Sequence, residues 1–197
     1  LKGIDGIEFV YLTDEDVVRH RLVKEIRDVL ERDAILCCDA SLSSYWAGIF
    51  YDALTPGRIY IAPRGMAGIG SGLPMAMGAK LGAPDKMVMS LGGDGGFAYA
   101  IHELETMKRL DIPIVYTILN DTAFGYGVLY FGSLYNRVIS CHFTPLDYAK
   151  IAEAFGCRGI RVERPGEIRD ALREGVQSGE PTVIDVVTKS EFPVQGV

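Results

Sequence analysis

Apolar residues along this chain collect into six short runs, at 34–38, 58–62, 87–91, 114–119, 159–162 and 182–187. Each has the length of a strand. Several are rich in Val and Ile without polar alternation, the pattern of strands covered on both faces. The segments between them have helical spacing and predict helices over 14–31, 41–53, 70–81, 98–110, 145–155 and 165–178. Asp14 reads as the N-cap of the first, Pro145 and Pro165 suit first helical turns, and Gly156 suits a helix stop. Strand and helix alternate, so the pattern predicts an α/β fold, a parallel sheet of about six strands with helices on both faces. Residues 1–13 read as a linker or leading arm, 14–197 as one domain, and 191–197 as its tail.

At 197 residues the chain is long enough for one large core. It carries 20 basic and 26 acidic residues, a net charge of −6. That balance argues against a nucleic acid or an anionic membrane as partner, because both call for basic patches. The cysteines are Cys37, Cys38, Cys141 and Cys157, with no CxxC among them. They read as small buried thiols of a reducing, cytoplasmic compartment, not as a disulfide frame or a zinc site. No apolar run approaches membrane-spanning length, and no signal-peptide pattern is visible. The sequence begins at Leu1, not Met, and reads as a fragment or as one half of a larger machine.

Candidate chemistry sits where the third apolar run ends. Gly92-Gly93-Asp94-Gly95-Gly96 follows it, then a helix, then the fourth run, which stops at Asn120-Asp121. In open parallel sheets, ligands bind beyond the carboxyl ends of the strands. If these two strands are neighbours, Asp94 and Asn120 lie roughly 5 Å apart. A carboxylate and an amide oxygen are hard ligands, suited to Mg²⁺ or Ca²⁺. Glycines let backbone amides approach a phosphate, and a helix N-terminus adds a favourable dipole. The loop is therefore expected to hold a metal, and the metal a phosphorylated ligand. Two alternatives stand beside it. Gly93 to Ala98 also fits the dinucleotide fingerprint G-x-G-x-x-A with Asp121 as ribose acid, although Asp94 would then face a pyrophosphate with no cation between them. The plainer alternative is a glycine-rich turn with a solvated aspartate.

The motif GDGGF…LND, with GMAGIGSGLPMAMGAKLG ahead of it, resembles the C-terminal, diphosphate-binding domain of thiamine-diphosphate enzymes, in the acetolactate synthase, pyruvate oxidase and 2-oxoacid decarboxylase superfamily. The resemblance runs from about residue 14 to 187, and departs from the family where Asp121 replaces a second asparagine. It implies thiamine diphosphate and Mg²⁺ as cofactors, with Asp94, the Asn120 side chain and the Thr122 carbonyl as metal ligands. Gly93, Gly95 and Gly96 would line the diphosphate, with Ala40 and Ser41 as a second contact. For Ser41 a plain helix cap is equally compatible with the sequence. Ile69 stands where the family places an apolar wedge under the cofactor, Ala67 where a carbonyl accepts from its amine, and Gly68 between them. Phe124, Gly125 and Tyr126 border the same site. FAD, if the full-length enzyme carries it, would not be bound by this domain.

The resemblance also implies activity on 2-oxoacids, by decarboxylation with carboligation, and a catalytic glutamate on a separate pyrimidine-binding domain. The expected partners are that domain or a second copy of the chain, docked through the small-residue helix at 70–81. Acetolactate synthases usually carry a tryptophan near Tyr130, and here the single tryptophan is Trp46. A split 2-oxoacid decarboxylase subunit, a non-catalytic cofactor-binding domain and a nicotinamide-dependent reductase remain as alternatives. His20, His102 and Glu103 read as solvated or structural. His142 stands near the site in sequence with nothing to fix it there. The glycine-interrupted segment AFGYGVLYFG, with Tyr126, Tyr130 and Phe131, reads as a mobile cover.

Overall fold

The computed structural model describes residues 14–57 and 59–188. The expected leading arm, the expected tail, and Arg58 at the head of the second apolar run lie outside the described residues. The elements run α1 (Asp14–Val29), β1 (Ile35–Cys38), α2 (Leu42–Phe50), β2 (Tyr60–Ile61), α3 (Gly72–Gly82) and β3 (Val88–Gly93). Next come α4 (Asp94–Ala100), α5 (Glu103–Arg109), β4 (Val115–Asn120), α6 (Gly125–Tyr135), α7 (Tyr148–Ala154) and β5 (Arg158–Val162). A 3₁₀ turn (Pro165–Glu167), α8 (Ile168–Ser178) and β6 (Thr182–Val187) complete the order. The six strands form one all-parallel sheet in the order β2-β1-β3-β4-β6-β5.

Neighbouring residues in a strand point to opposite faces, and both faces here are apolar. Leu36 and Cys38 of β1, Met89 and Leu91 of β3, and Ile184 and Val186 of β6 join Leu22, Val23, Ile26 and Leu172 of the helices on one side. Cys37, Val88, Tyr116, Ile118 and Val183 join Leu73, Phe97, Leu104 and Met107 on the other. This double burial explains the unbroken apolar runs. All four cysteines are buried and unpaired, and burial pushes the Cys37 thiol up to about 12.

The helices depart from expectation most at three boundaries and in one segment not expected as a helix. Gly70 does not open α3, because its φ of +88° is left-handed, and the helix starts at Gly72. The helix expected at 98–110 is two helices, since β3 runs straight into α4 at Asp94 and a turn at Ile101-His102 precedes α5. Pro145 precedes α7, whose N-cap is Asp147, its carboxylate accepting from the Lys150 amide at 3.0 Å. The segment after Asn120, expected as a mobile cover, forms α6, which ends where Asn136 takes the left-handed conformation at φ +47°. Gly156 follows α7 at φ +80°, the helix stop its sequence position suggests. No helix among the described residues is long and apolar enough to cross a membrane.

Candidate functional site

β1 sends its chain into α2 on one face of the sheet, and its neighbour β3 sends its chain into α4 on the other. Diverging crossovers of this kind open a crevice at the strand ends. A cavity of about 660 Å³ occupies it. Its wall includes Ala40, Ser41, Ala67, Ile69, Gly93, Gly95, Gly96, Phe124, Gly125 and Tyr126. Ten of the fourteen residues singled out in the sequence are thus brought together on one surface. Gly68 and the trio Asp94, Asn120 and Thr122 are not on that wall. Asp94 and Asn120 lie beneath it, 1% and 5% exposed.

The register of the two central strands aligns Gly93 with Leu119. Asp94 and Asn120 are the next residues along, so they face each other across neighbouring strand ends. Asp94 is the first residue of α4, and its Oδ1 accepts from the Gly95 amide at 2.8 Å. Its Oδ2 is buried and meets no hydrogen-bond partner among the described residues. Burial and the nearby Asp121 carboxylate push the Asp94 pKa up to about 7, while the amides of Gly95, Thr122 and Ala123 pull the other way. A buried carboxylate oxygen left without a donor is costly unless something cationic completes it.

Asn120 uses its NH₂ on two acceptors, Asp185 Oδ1 at 2.9 Å and the Leu146 carbonyl at 3.2 Å. Both amide hydrogens are committed, which turns Oδ1 to the opposite side. Thr122 is left-handed at φ +59°, and its carbonyl accepts from the Phe143 amide at 2.8 Å, leaving one lone pair. The partner amide belongs to a segment that pairs with the site loop, through an isolated bridge between Ala123 and His142. That bridge fixes the backbone around His142, which nothing in the sequence did. Among the described residues there is no group of three or more His, Cys, Asp or Glu that could hold a metal. A cation here would rest on one carboxylate, one amide oxygen and one carbonyl, a hard-oxygen set that suits Mg²⁺ with additional oxygens from a phosphate or water.

The glycines have distinct reasons. Gly93 lines the cavity, and a methyl group there would meet Ser41 only at van der Waals distance, 3.9 Å, so the position is not filled by the protein itself. A methyl on Gly95 would press on Phe124 at 2.6 Å, and one on Gly96 would collide with the Asp39 carboxylate. Gly72 leaves only 2.9 Å to the Asp39 side chain. Asp39, fully buried, accepts from the amides of Ala40 at 2.6 Å and Gly70 at 3.0 Å. It therefore pins the loop bearing Ala67 and Ile69 against the start of α4. Ala67 is left-handed at φ +55°, and Ile69 is half exposed on the cavity wall. Ser41 caps α2 by accepting from the Ser43 amide at 3.3 Å while it lines the cavity, so the cap and the wall are the same residue.

Sequence reasoning missed the packing role of Asp39, which heads the loop bearing Ala40 and Ser41, missed Asp185 altogether, and missed that Asp121, considered as a ribose acid, pairs with Arg19 at 3.3 Å across the cavity wall. It also missed Arg64, whose guanidinium lies 4.3 Å from the Tyr45 ring centroid and bonds Ser44 Oγ at 2.7 Å. Tyr45 stacks on Tyr126, and Tyr126 on Tyr130; Tyr45 and Tyr126 line the cavity. One signal was available for Asp185. It is a lone charge inside an otherwise apolar strand, Thr182–Val187, and a charge buried there must have partners. His102 is exposed beside Glu103 at 3.4 Å, away from the site.

Residues 39–186 match the family model for the thiamine pyrophosphate enzyme C-terminal TPP binding domain. An acetolactate synthase from Bacillus subtilis (strain 168) is 38% identical over 167 residues, covering 84% of this chain and 29% of that protein. A probable acetolactate synthase large subunit from Methanocaldococcus jannaschii is 32% identical over 192 residues, covering 92% of this chain and 32% of its own length. A putative thiamine pyrophosphate-containing protein of B. subtilis, YdaP, is 28% identical over 185 residues, covering 89% of this chain and 30% of its own. The chain thus spans about a third of the length of the curated relatives it matches. It belongs to the thiamine pyrophosphate enzymes as a C-terminal thiamine-diphosphate-binding domain of the acetolactate synthase-like kind.

Proposed function

We propose that this domain holds thiamine diphosphate through Mg²⁺ bound by Asp94, the Asn120 amide oxygen and the Thr122 carbonyl, within an enzyme that decarboxylates a 2-oxoacid and joins the remainder to a second carbonyl. The observation that carries the metal reading is the buried Asp94 Oδ2 without a hydrogen-bond partner among the described residues, at the strand end next to Asn120, whose NH₂ is committed to Asp185 and Leu146. The names of the relatives carry the substrate class. When bound, the cofactor supplies an acidic carbon that adds to a carbonyl and accepts the charge left by departing carbon dioxide.

This chain's residues bind and orient. Gly93 leaves room for the diphosphate, Gly95 and Gly96 bring the backbone of α4's first turn to the cavity, and Ala40 and Ser41 face it from β1. Ile69 supplies an apolar surface under the cofactor, and Ala67 a carbonyl for its amine. Gly68 gives their loop its slack. Phe124, Gly125 and Tyr126 close the side beneath α6, where Phe124 packs edge-on against Phe143 with centroids 4.5 Å apart. Among the described residues the one carboxylate on the cavity wall is Asp121, and it is committed to Arg19. A proton-transfer acid is therefore to come from a pyrimidine-binding domain or a second copy, and the chain functions within that assembly. The Asp94 carboxylate beneath the cavity wall would repel a bare pyrophosphate with no cation between them, which speaks against a nicotinamide dinucleotide.

Calorimetric titration of thiamine diphosphate tests this. Saturable binding is expected with Mg²⁺ and its loss in chelator, while NADH should show no saturable binding. Equal affinity in chelator would reject the metal reading.

A further inference from the structure

Asp185 sits in the middle of β6, aligned with Ile118 of β4, with no exposed surface. Burying a carboxylate is expensive unless it is fully partnered. Three donors surround it. Asn120 Nδ2 reaches Oδ1 at 2.9 Å, while the Tyr148 amide at 3.0 Å and Arg161 Nη1 at 2.6 Å reach Oδ2. Arg161 Nη1 also donates to the Leu146 carbonyl at 3.4 Å, and that carbonyl is the second acceptor of Asn120. The four residues close a ring: Asn120 to Asp185, Asp185 to Arg161, Arg161 to Leu146, Leu146 back to Asn120.

The ring has a consequence for an amide that it would not have for a carboxylate. The two ends of Asn120 are of nearly equal size and opposite chemistry. Both acceptors of the ring face one end, so that end must be NH₂. Turned over, the amide would set its oxygen against a carboxylate oxygen and a carbonyl. A cation is bound only by the other end, the oxygen.

We infer that Asp185 is a positioning residue that fixes the sense of the Asn120 amide, so that its oxygen and not its NH₂ faces the cation. The inference rests on the reading of Asp94 and Asn120 as cation ligands. It resembles the role of outer partners around metal-bound histidines, whose loss typically costs about 10- to 100-fold in metal affinity. The plain alternative is that the ring only ties the segment before α7 to the sheet. In that case its loss would lower stability and leave cation affinity alone.

An exchange of the two side chains separates these. In Asp185→Asn, the Tyr148 and Arg161 donors hold the new amide's oxygen on their side. Its NH₂ then faces Asn120, and with only the Leu146 carbonyl at 3.2 Å left to hold the Asn120 NH₂, the amide is free to turn over and show NH₂ to the cation. Adding Asn120→Asp removes the problem, because a carboxylate has oxygen at both ends. The measurement is Mg²⁺ titration by calorimetry in the presence of thiamine diphosphate, with thermal melting of each metal-free protein alongside. Asp185→Asn should weaken Mg²⁺ about 10-fold or more, and the exchanged double variant should recover most of that loss. Asn120→Asp alone, which sets two carboxylates together, should bind worse than the double variant. If wild type requires Mg²⁺ but Asp185→Asn stays within about twofold of it, against about tenfold for the smallest expected loss, the positioning role is rejected and the metal reading stands. If wild type binds the cofactor equally well in chelator, the metal reading falls and this inference with it. Should Asp185→Asn not fold, the double variant against Asn120→Asp decides, and equal Mg²⁺ affinity of those two rejects the role.

Discussion

Two strand-to-helix corners meet at the cavity, and they are built in opposite ways. At the end of β3 the chain passes from strand to helix without a loop, and Asp94 Oδ1 accepts from the amide of the next residue. The strand end, the helix start and the Gly95 bond that place its carboxylate are all within a few positions, and the amides of Thr122 and Ala123 add to them from the neighbouring corner. At the end of β4, Asn120 is held by Asp185 and Leu146, 65 and 26 residues away. The loop after it is held by the segment at 141–143, and Thr122 takes a left-handed conformation unusual for a β-branched residue. The first corner is a local motif, the second a product of the whole fold. The proposed ligand pair therefore looks like a short signature while half of its geometry is stored elsewhere.

The largest expected effect breaks the local corner. Asp94→Asn should abolish Mg²⁺-dependent cofactor binding, with affinity falling at least about 100-fold, while stabilising the metal-free protein by on the order of 2 kcal/mol at neutral pH. The sign follows from the raised carboxyl. Its folded-state pKa of about 7 exceeds the ordinary 3.8, so its contribution to stability is present at low pH and is lost as pH rises from about 4 through about 7. Urea melts in chelator at pH 5 and pH 8 should show wild type losing more stability than the variant over that interval. Asp39, Asp121 and Asp185 are raised by burial too, so the difference between the two proteins carries the test.

Next comes the approach to the same corner. A methyl at Gly92 would run into the Tyr116 hydroxyl, which lies in the sealed core. Gly92→Ala should cost about 2–3 kcal/mol by overpacking, and Tyr116→Phe in the same chain should return part of it by removing the hydroxyl. Denaturant midpoints of the single and double variants measure both. No return would place the strain elsewhere.

The smallest effect belongs to the non-local corner. Asn136 ends α6 in the left-handed conformation that asparagine tolerates and alanine does not. Asn136→Ala should cost about 1 kcal/mol and speed amide exchange within α6, with little change at the start of α4. Uniform loss of protection at both corners would mean that they are one cooperative unit.

The sheet was legible because its strands are apolar on both faces, so six runs became six parallel strands with only their ends shifted. The cavity wall was legible because glycines cluster where backbone must approach a ligand or another chain segment. The reasons for individual glycines were not. Gly96 makes room for Asp39 as well as for the cavity, and nothing local in the sequence ties residue 39 to residue 96. The helix α6 was hidden because Gly125, Gly127 and Gly132 lower its intrinsic propensity, and packing around Val128 and Cys141 overrides that. Asp185 was visible as an oddity in an apolar strand, but its partner Asn120 could be identified only once β4 and β6 were known to be neighbours.

The central claim is that Asp94 and the oxygen end of Asn120 grip one cation. An anomalous-difference map from crystals grown with thiamine diphosphate and Mn²⁺ tests it most directly. The account predicts one peak about 2.0–2.3 Å from both Asp94 Oδ2 and Asn120 Oδ1, with the Asn120 NH₂ still on Asp185. A peak away from this pair, or an Asn120 NH₂ facing the ion, would contradict it.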